Sequence, residues 1–379
     1  MPRSQTALEL CASKQWPSNN DVAQRFETLP HPGLASDKHY QEVMCSLGFG
    51  VEFTDYMARA SWNESAGWHD FTIEPYGPLS LDPAGAVLHY GQEVFEGLKA
   101  YRHADGSIWT FRPAYNAARL NVSNERLMIP QFPVEDFLGS LVGLVRADSR
   151  WVPQTAGATL YMRPFIFASE AFLGVRAAKR FEYGVVASPS GPYFTHGFKP
   201  INVWVERTHH RAGPGGMGDV KTGGNYAASF YAKSHAFERG FDEVLFLDAA
   251  TNSRIDELGA MNVFVVMADG TVRTPALSGT ILPGSTRSAI LQLLDDEGVT
   301  TREETIELDE LWMGIKTGDV AEMFACGTAA AVVSIGSLTM GEERVELSDL
   351  TVAHRIYQEL TDIQFGRILD RFGWMYRLA

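Results

Sequence analysis

Apolar and polar residues change their period several times along the 379-residue chain. In "AVLHYGQEVFEGLKAYR" a short apolar stretch runs into a Gly-containing turn and then a strand at 98–102. "HADGS" follows. Its Asp-Gly pair supplies the positive φ angles that a hairpin turn needs, so "IWTFRP" is the returning strand. "AYNAARLNVSNERLMI" and "VEDFLGSLVGLVRAD" have helical spacing, while "ATLYMRPFIFAS" and "EYGVVASPS" are strand-like. Residues 1–25 are polar and irregular and predict a mobile tail. "GPYFTHGFKP" is rich in Gly, Pro and aromatics and predicts a connection between domains. Beyond it lie a strand "INVWVER" and a helix from Tyr226 to Arg239, with apolar residues at 227, 230, 231 and 237 and Gly240 as its stop. Strands "DEVLFLD" and "NVFVVMAD", a loop into a helix at "LPGSTRSAILQLLDDEG", and two strands about a tight turn in "DVAEMFACGTAAAVVSIGSL" complete the chain. The expectation is an α+β protein of two domains: residues 1–192, a connection at 193–203, and residues 204–379.

Composition narrows the function. A hydrophobic content of 45% against 21% charged residues suffices for a sizeable core. The net charge of −14 comes from 46 acidic and 32 basic residues, spread without a basic run, which argues against nucleic acid or an anionic membrane as partner. No stretch approaches the ~18 apolar residues of a membrane span. The N-terminal "MPRSQTALELCASKQWPSNN" lacks an apolar leader core, so a cytoplasmic location is expected. Cys11, Cys45 and Cys326 are too sparse and scattered for a disulfide framework or a metal site.

The chemistry concentrates in "GPGGMGDVKTGGNYAAS", where Lys221 stands between two glycine clusters. A phosphate loop requires a glycine directly before the lysine, and here that residue is Val220; no dinucleotide fingerprint opens a helix after a strand either. The other reading is a lysine whose amine condenses with an aldehyde cofactor, with glycines that let backbone approach a flat ring. A lone loop lysine is ordinarily just solvated, so its company decides.

That company resembles the branched-chain-amino-acid aminotransferases, pyridoxal-5′-phosphate (PLP) enzymes of fold type IV. The resemblance runs from about residue 45 to the end and rests on "LHYGQEVFEGLKAYR", "FRPAYNAARL", "LYMRPFIFAS", "VKTGGNYAAS", "IDELGAMNVFVV", "LSGTILPGSTR" and "FACGTAA", in the family's order. It implies a D-amino-acid-aminotransferase-like architecture, with a small N-terminal domain, a larger barrel-like C-terminal domain and the cofactor between them. It implies that Lys221 carries PLP as a Schiff base and later shuttles a proton. Glu257, rather than its neighbour Asp256, matches the acid facing the pyridine nitrogen. Arg119, with Ser285 and Thr286 at a helix start, matches the phosphate site, and Tyr226 the contact to the ring hydroxyl. Thr328 and Ala329 match the turn that holds the substrate α-carboxylate. Tyr90, Phe95, Tyr161, Arg163 and Tyr193 match the substrate pocket, with Arg163 the candidate partner for a γ-carboxylate. The implied reaction moves the amino group of L-leucine, L-isoleucine or L-valine to 2-oxoglutarate, giving L-glutamate, in a homodimer. D-amino-acid transamination or aminodeoxychorismate lysis on the same fold, and a homologue without activity that only binds PLP or a protein partner, are the rivals. Ala260 stands where some relatives carry Thr. Ala330 and Val333 stand where mammalian relatives carry a cysteine pair, so no thiol switch is expected there.

Overall fold

The computed structural model describes residues 3–192 and 198–379. The chain divides into two compact units, Met1–Thr195 with Asp362–Ala379, and His196–Thr361. Both are α+β and both are built on a nine-stranded sheet.

In the first unit the strands run in the order Glu27–Thr28, Gly67–Pro75, Tyr56–Asn63, Arg180–Ser190, Thr159–Ala168, Leu98–Arg102, Ile108–Phe111 and Met375–Arg377, with Glu93–Phe95 paired onto Thr159–Ala168. Strand Thr159–Ala168 shows why the sheet has two characters. Met162, Pro164, Ile166 and Ala168 are buried, while Tyr161, Arg163, Phe165 and Phe167 alternate with them on a half-buried face. The buried face meets helix Val134–Ala147 through Phe137, Leu138, Leu141, Val142 and Leu144. Gly139 and Gly143 let that helix come close: a Cβ on either would lie 2.9 Å from Val22 O or from the Ile73 side chain.

Two expectations are corrected here. Among the described residues, 3–25 are no loose tail. Arg3–Ala12 is a helix with Leu8 fully buried. Glu9 pairs with Arg112 at 2.8 Å, the Trp16 indole donates to Cys11 O, and the Tyr376 hydroxyl donates to Pro17 O. The last residues belong with the first unit, not the second, because Met375–Arg377 pairs with Trp109–Phe111 and Leu378 is buried. The N-terminal unit is therefore the longer of the two, not the smaller.

In the second unit the order is Ile255–Leu258, Glu243–Leu247, Ile201–Glu206, Ala331–Met340, Val320–Gly327, Asn262–Met267, Val272–Pro275 and Thr301–Glu304, with Glu343–Glu346 paired onto Ala331–Met340. An isolated bridge between Leu258 and Met261 joins the first strand of this series to the sixth, so the sheet curls back on itself as a barrel. Val203, Val205, Leu245, Val263, Val265, Met323 and Ile335 fill its interior. The expected helix from Tyr226 to Arg239 is two, Gly223–Ala227 and Phe230–Glu238. Its aromatic residues face outward: Phe230, Tyr231 and Phe237 are 66%, 60% and 50% exposed. Ala232 and Ala236 are buried against Val244 and Phe246, because small side chains let the helix lie close on the strand.

Candidate active site

The residues singled out in the sequence fall on both units. In the second unit Lys221 lies between the glycine loop and helix Gly223–Ala227, and its amine donates to the Tyr226 hydroxyl. The Asn225 amide donates to Met217 O at 2.6 Å and Val220 O at 2.9 Å, pinning the loop that carries the lysine. Gly218 has a specific task. A Cβ there would fall 2.4 Å from Thr280 O, so its bareness lets the glycine loop touch the 280 loop.

Glu257 is buried on strand Ile255–Leu258. One carboxylate oxygen accepts the Leu282 N–H at 2.6 Å, and the other lies 3.1 Å from Arg211 Nε. Burial raises its pKa, against the Arg211 guanidinium, the Leu282 amide and the more distant Lys221 amine, which all favour the carboxylate. Asp256 points elsewhere, receiving the Thr280 hydroxyl at 3.2 Å, and burial pushes it up to about 6. Leu282 continues into Gly284 and helix Ser285–Asp296, where Ser285 and Thr286 are buried in the first turn. Gly284 is required by contact: its Cβ would sit 2.0 Å from Asn262 Oδ1. Thr328 and Ala329 occupy the turn between Val320–Gly327 and Ala331–Met340, which closes on Ala331 at φ +60°, a left-handed conformation costly for alanine. Cys326 is fully buried, and burial raises its thiol pKa.

In the first unit Arg119, on helix Pro113–Arg126, is gripped by Glu96: Nε donates to Oε1 at 2.8 Å and Nη2 to Oε2 at 2.7 Å, with both side chains buried. Asn116 adds a bond to the same carboxylate at 2.8 Å. Phe95, Tyr161 and Arg163 are brought together. The Arg163 guanidinium lies 4.7 Å from the Phe95 ring and 5.3 Å from the Tyr161 ring, and donates to the Tyr161 hydroxyl at 3.0 Å. Among the described residues Arg163 pairs with no carboxylate, and its buried Nε has no hydrogen-bond partner. Gly97 makes room, since a Cβ there would lie 2.2 Å from the Tyr161 hydroxyl. Tyr90 stands apart: it is 41% exposed, its hydroxyl donates to Leu173 O and its ring lies near Phe172. Tyr193 lies outside the described residues.

Sequence reasoning missed Arg211, Glu96, Phe49 and Lys99. Phe49 meets Tyr161 edge-on at 5.1 Å. Lys99 is opposite Tyr161 in register, and burial lowers its amine to about 8. Glu96 and Lys99 stood in plain view in "EVFEGLKAYR"; Arg211 had no signal beyond its nearness to the glycine loop.

Lysine amine, phenol and buried, cation-held carboxylate beside a helix start suit a phosphorylated pyridine aldehyde. The Lys221 amine is of the type that condenses with an aldehyde, and the Glu257 carboxyl, 3.1 Å from the Arg211 guanidinium, is of the type that faces a ring nitrogen. The barrel, the two-unit chain and this donor set define the class. The amino-transferase class IV profile matches residues 93–338, and the chain belongs to that family of PLP enzymes, of fold type IV. Within it the resemblance is to branched-chain enzymes. The branched-chain-amino-acid aminotransferase of Mycolicibacterium smegmatis is 45% identical over 93% of this chain and 98% of its own length. A crystal structure of the Escherichia coli branched-chain amino acid aminotransferase superposes with a TM-score of 0.70 at 26% identity, covering 86% of this chain and 99% of that one. A crystal structure of the T.th. branched-chain amino acid aminotransferase with pyridoxamine 5′-phosphate gives a TM-score of 0.69 at 26% identity, covering 85% and 99%. The protein is thus a PLP-dependent transaminase. No helix among the described residues is long and apolar enough to cross a membrane, and no cluster of metal-ligating side chains occurs among them.

Proposed function

We propose that the protein transfers the amino group of L-leucine, L-isoleucine or L-valine to 2-oxoglutarate, reversibly, giving the branched 2-oxo acid and L-glutamate. The observation that carries this reading is the Phe95–Tyr161–Arg163 face. Its rings suit a branched aliphatic chain, and its guanidinium, without a carboxylate partner among the described residues, suits the γ-carboxylate of glutamate. One surface thereby serves two unlike substrates in alternate half-reactions.

PLP supplies an aldehyde to hold the substrate nitrogen and an electron-poor ring to receive the electron pair of Cα. The chain's residues do the rest. Lys221 anchors the cofactor and then, as a free amine, takes the Cα proton and returns it on the other side of the exchange. Tyr226, already hydrogen-bonded to that amine, orients it and meets the ring hydroxyl. Glu257 holds the proton on the ring nitrogen. The first turn of helix Ser285–Asp296 offers backbone N–H groups to the phosphate, with Ser285 and Thr286; Arg119, whose guanidinium plane Glu96 fixes, is the arginine that the family resemblance implies for a phosphate. Thr328 and Ala329 receive the α-carboxylate. We infer a cytoplasmic homodimer, with sedimentation as the check on its subunit number.

The direct test is a panel of amino donors against 2-oxoglutarate. Leucine, isoleucine and valine should lead it, and the yellow protein should bleach on addition of L-glutamate. Turnover of D-amino acids alone, or a colourless inert protein, would refute the reading.

A further inference from the structure

We propose that Arg211 is the positioning residue of Glu257: its guanidinium keeps that buried side chain a carboxylate and aims it, so that the proton shared with the cofactor's ring nitrogen resides on the ring. The inference rests on the function proposed above and concerns a residue that the sequence did not single out.

A carboxyl as deeply buried as Glu257 loses the water that stabilises its charge and, left alone, takes up a proton. A neutral acid facing a pyridine nitrogen can hold the shared proton on its own oxygen, and the ring then attracts electrons less. The neighbours decide where the proton goes. Asp256 is a second carboxyl and works against ionisation of Glu257. Lys221 favours it, yet that amine must be neutral whenever it accepts a proton, so it cannot supply a permanent charge. Arg211 can, because a guanidinium is protonated at every working pH.

Its placement is equally specific. Arg211 is buried, and its Nη2 donates to Gly218 O at 2.8 Å and Thr280 O at 2.7 Å. Those two carbonyls are neutral and belong to the two loops that Gly218 brings into contact. They hold the guanidinium with Nε 3.1 Å from one Glu257 oxygen, a charge pairing in which Nε makes no hydrogen bond, while the Leu282 amide holds the opposite oxygen at 2.6 Å. One arginine therefore joins the lysine loop, the loop leading to the helix start and the acid. The proton balance is simple: Glu257 stays a carboxylate whose charge Arg211 matches, and the proton on the ring nitrogen would come from solvent as the cofactor binds.

The test reads the protonation of Glu257 in the cofactor-free protein by infrared difference spectroscopy. Arg211→Gln keeps a donor for the two carbonyls and removes the charge; Arg211→Lys keeps a charge. At neutral pH Arg211→Gln should show a protonated-carboxyl stretch that wild type and Arg211→Lys lack. That stretch should vanish in Arg211→Gln with Glu257→Gln, and its titration midpoint should lie ~1–3 pH units above that of wild type. On loading with PLP, the absorption spectrum of Arg211→Gln should match that of Glu257→Gln. A Glu257 still ionised in Arg211→Gln, or a wild-type absorption spectrum beside a lowered melting temperature, would reduce Arg211 to a loop fastener and overturn the proposal. If Arg211→Gln fails to fold, Arg211→Lys decides by the same midpoint: a midpoint unchanged from wild type supports the charge role, and an upward shift as large as ~1–3 units refutes it. A wild-type protein inactive toward every amino donor would defeat the proposed function while leaving the infrared result standing on its own.

Discussion

Adjacent residues on one strand can face different chemistry, and Glu257 and Asp256 show it. Glu257 has an amide at 2.6 Å and a guanidinium at 3.1 Å, whereas Asp256 has a hydroxyl at 3.2 Å. Glu257→Gln should slow the leucine half-reaction about ten- to hundred-fold, the worth of one charge-assisted hydrogen bond of ~1.5–3 kcal/mol. Asp256→Asn should leave the rate close to wild type. Single-turnover absorbance measures both, and a crippled Asp256→Asn beside a healthy Glu257→Gln would reverse the assignment. Arg163 gives a second prediction at this scale. Removing one partner of a buried charged pair costs on the order of 2–5 kcal/mol, so Arg163→Leu should depress the glutamate half-reaction by tens-fold or more relative to leucine. Equal losses with both substrates would make Arg163 a structural residue. Lys221→Ala should abolish turnover, and borohydride reduction of the wild type should tag the peptide that carries Lys221.

The glycine loop behaves as an element whose shape depends on one missing side chain. Gly218→Ala forces a Cβ to 2.4 Å from Thr280 O and 2.6 Å from Thr280 Cα, backbone that cannot swing aside. Overpacking of this kind costs ~1–3 kcal/mol, and here it also spreads the loops that bracket Arg211. We expect a lower melting temperature and loss of cofactor on gel filtration. Gly224→Ala, whose Cβ meets only Met217 Cε at 3.8 Å, should show neither. The same contrast explains what the sequence reveals. Strand Thr159–Ala168 was legible because its alternation is written in "YMRPFIFA", and Lys221 because its glycines are unusual. Helix Phe230–Glu238 was legible as a helix but not in its orientation, since the large apolar residues advertise a buried face while the alanines do the burying. The N-terminal helix was misread because its anchors, such as Glu9 to Arg112, join residues far apart in sequence. Arg211 escaped notice for the same reason: a buried ion pair leaves no local pattern.

For the molecule as a whole, stability should respond to pH through Asp148. Asp148 ends helix Val134–Ala147, its backbone N–H donating to Leu144 O, and its carboxyl accepts the Tyr56 amide at 2.9 Å; burial pushes the carboxyl up to about 7, and the neighbouring Asp55 carboxylate adds to the rise. Because the folded pKa lies above the unfolded one, the folded chain holds a proton that the unfolded chain releases. Stability from this group is therefore present at low pH and is lost as pH climbs from the unfolded value of ~4 to about 7. Asp148→Asn removes that slope. Urea midpoints at pH 5 and pH 8 should show the variant gaining on wild type at the higher pH; parallel changes in both would exclude Asp148 as the source. A last consequence concerns the order in which the molecule is made. The first unit needs the strand Met375–Arg377 and the buried Leu378 to complete its sheet edge, and these follow the entire second unit in the chain. During synthesis the second unit therefore leaves the ribosome and can close its barrel while the first, although translated earlier, still lacks an edge. The half that emerges first is the half that finishes last, and until then its open edge at Ile108–Phe111 is a surface for chaperones to guard.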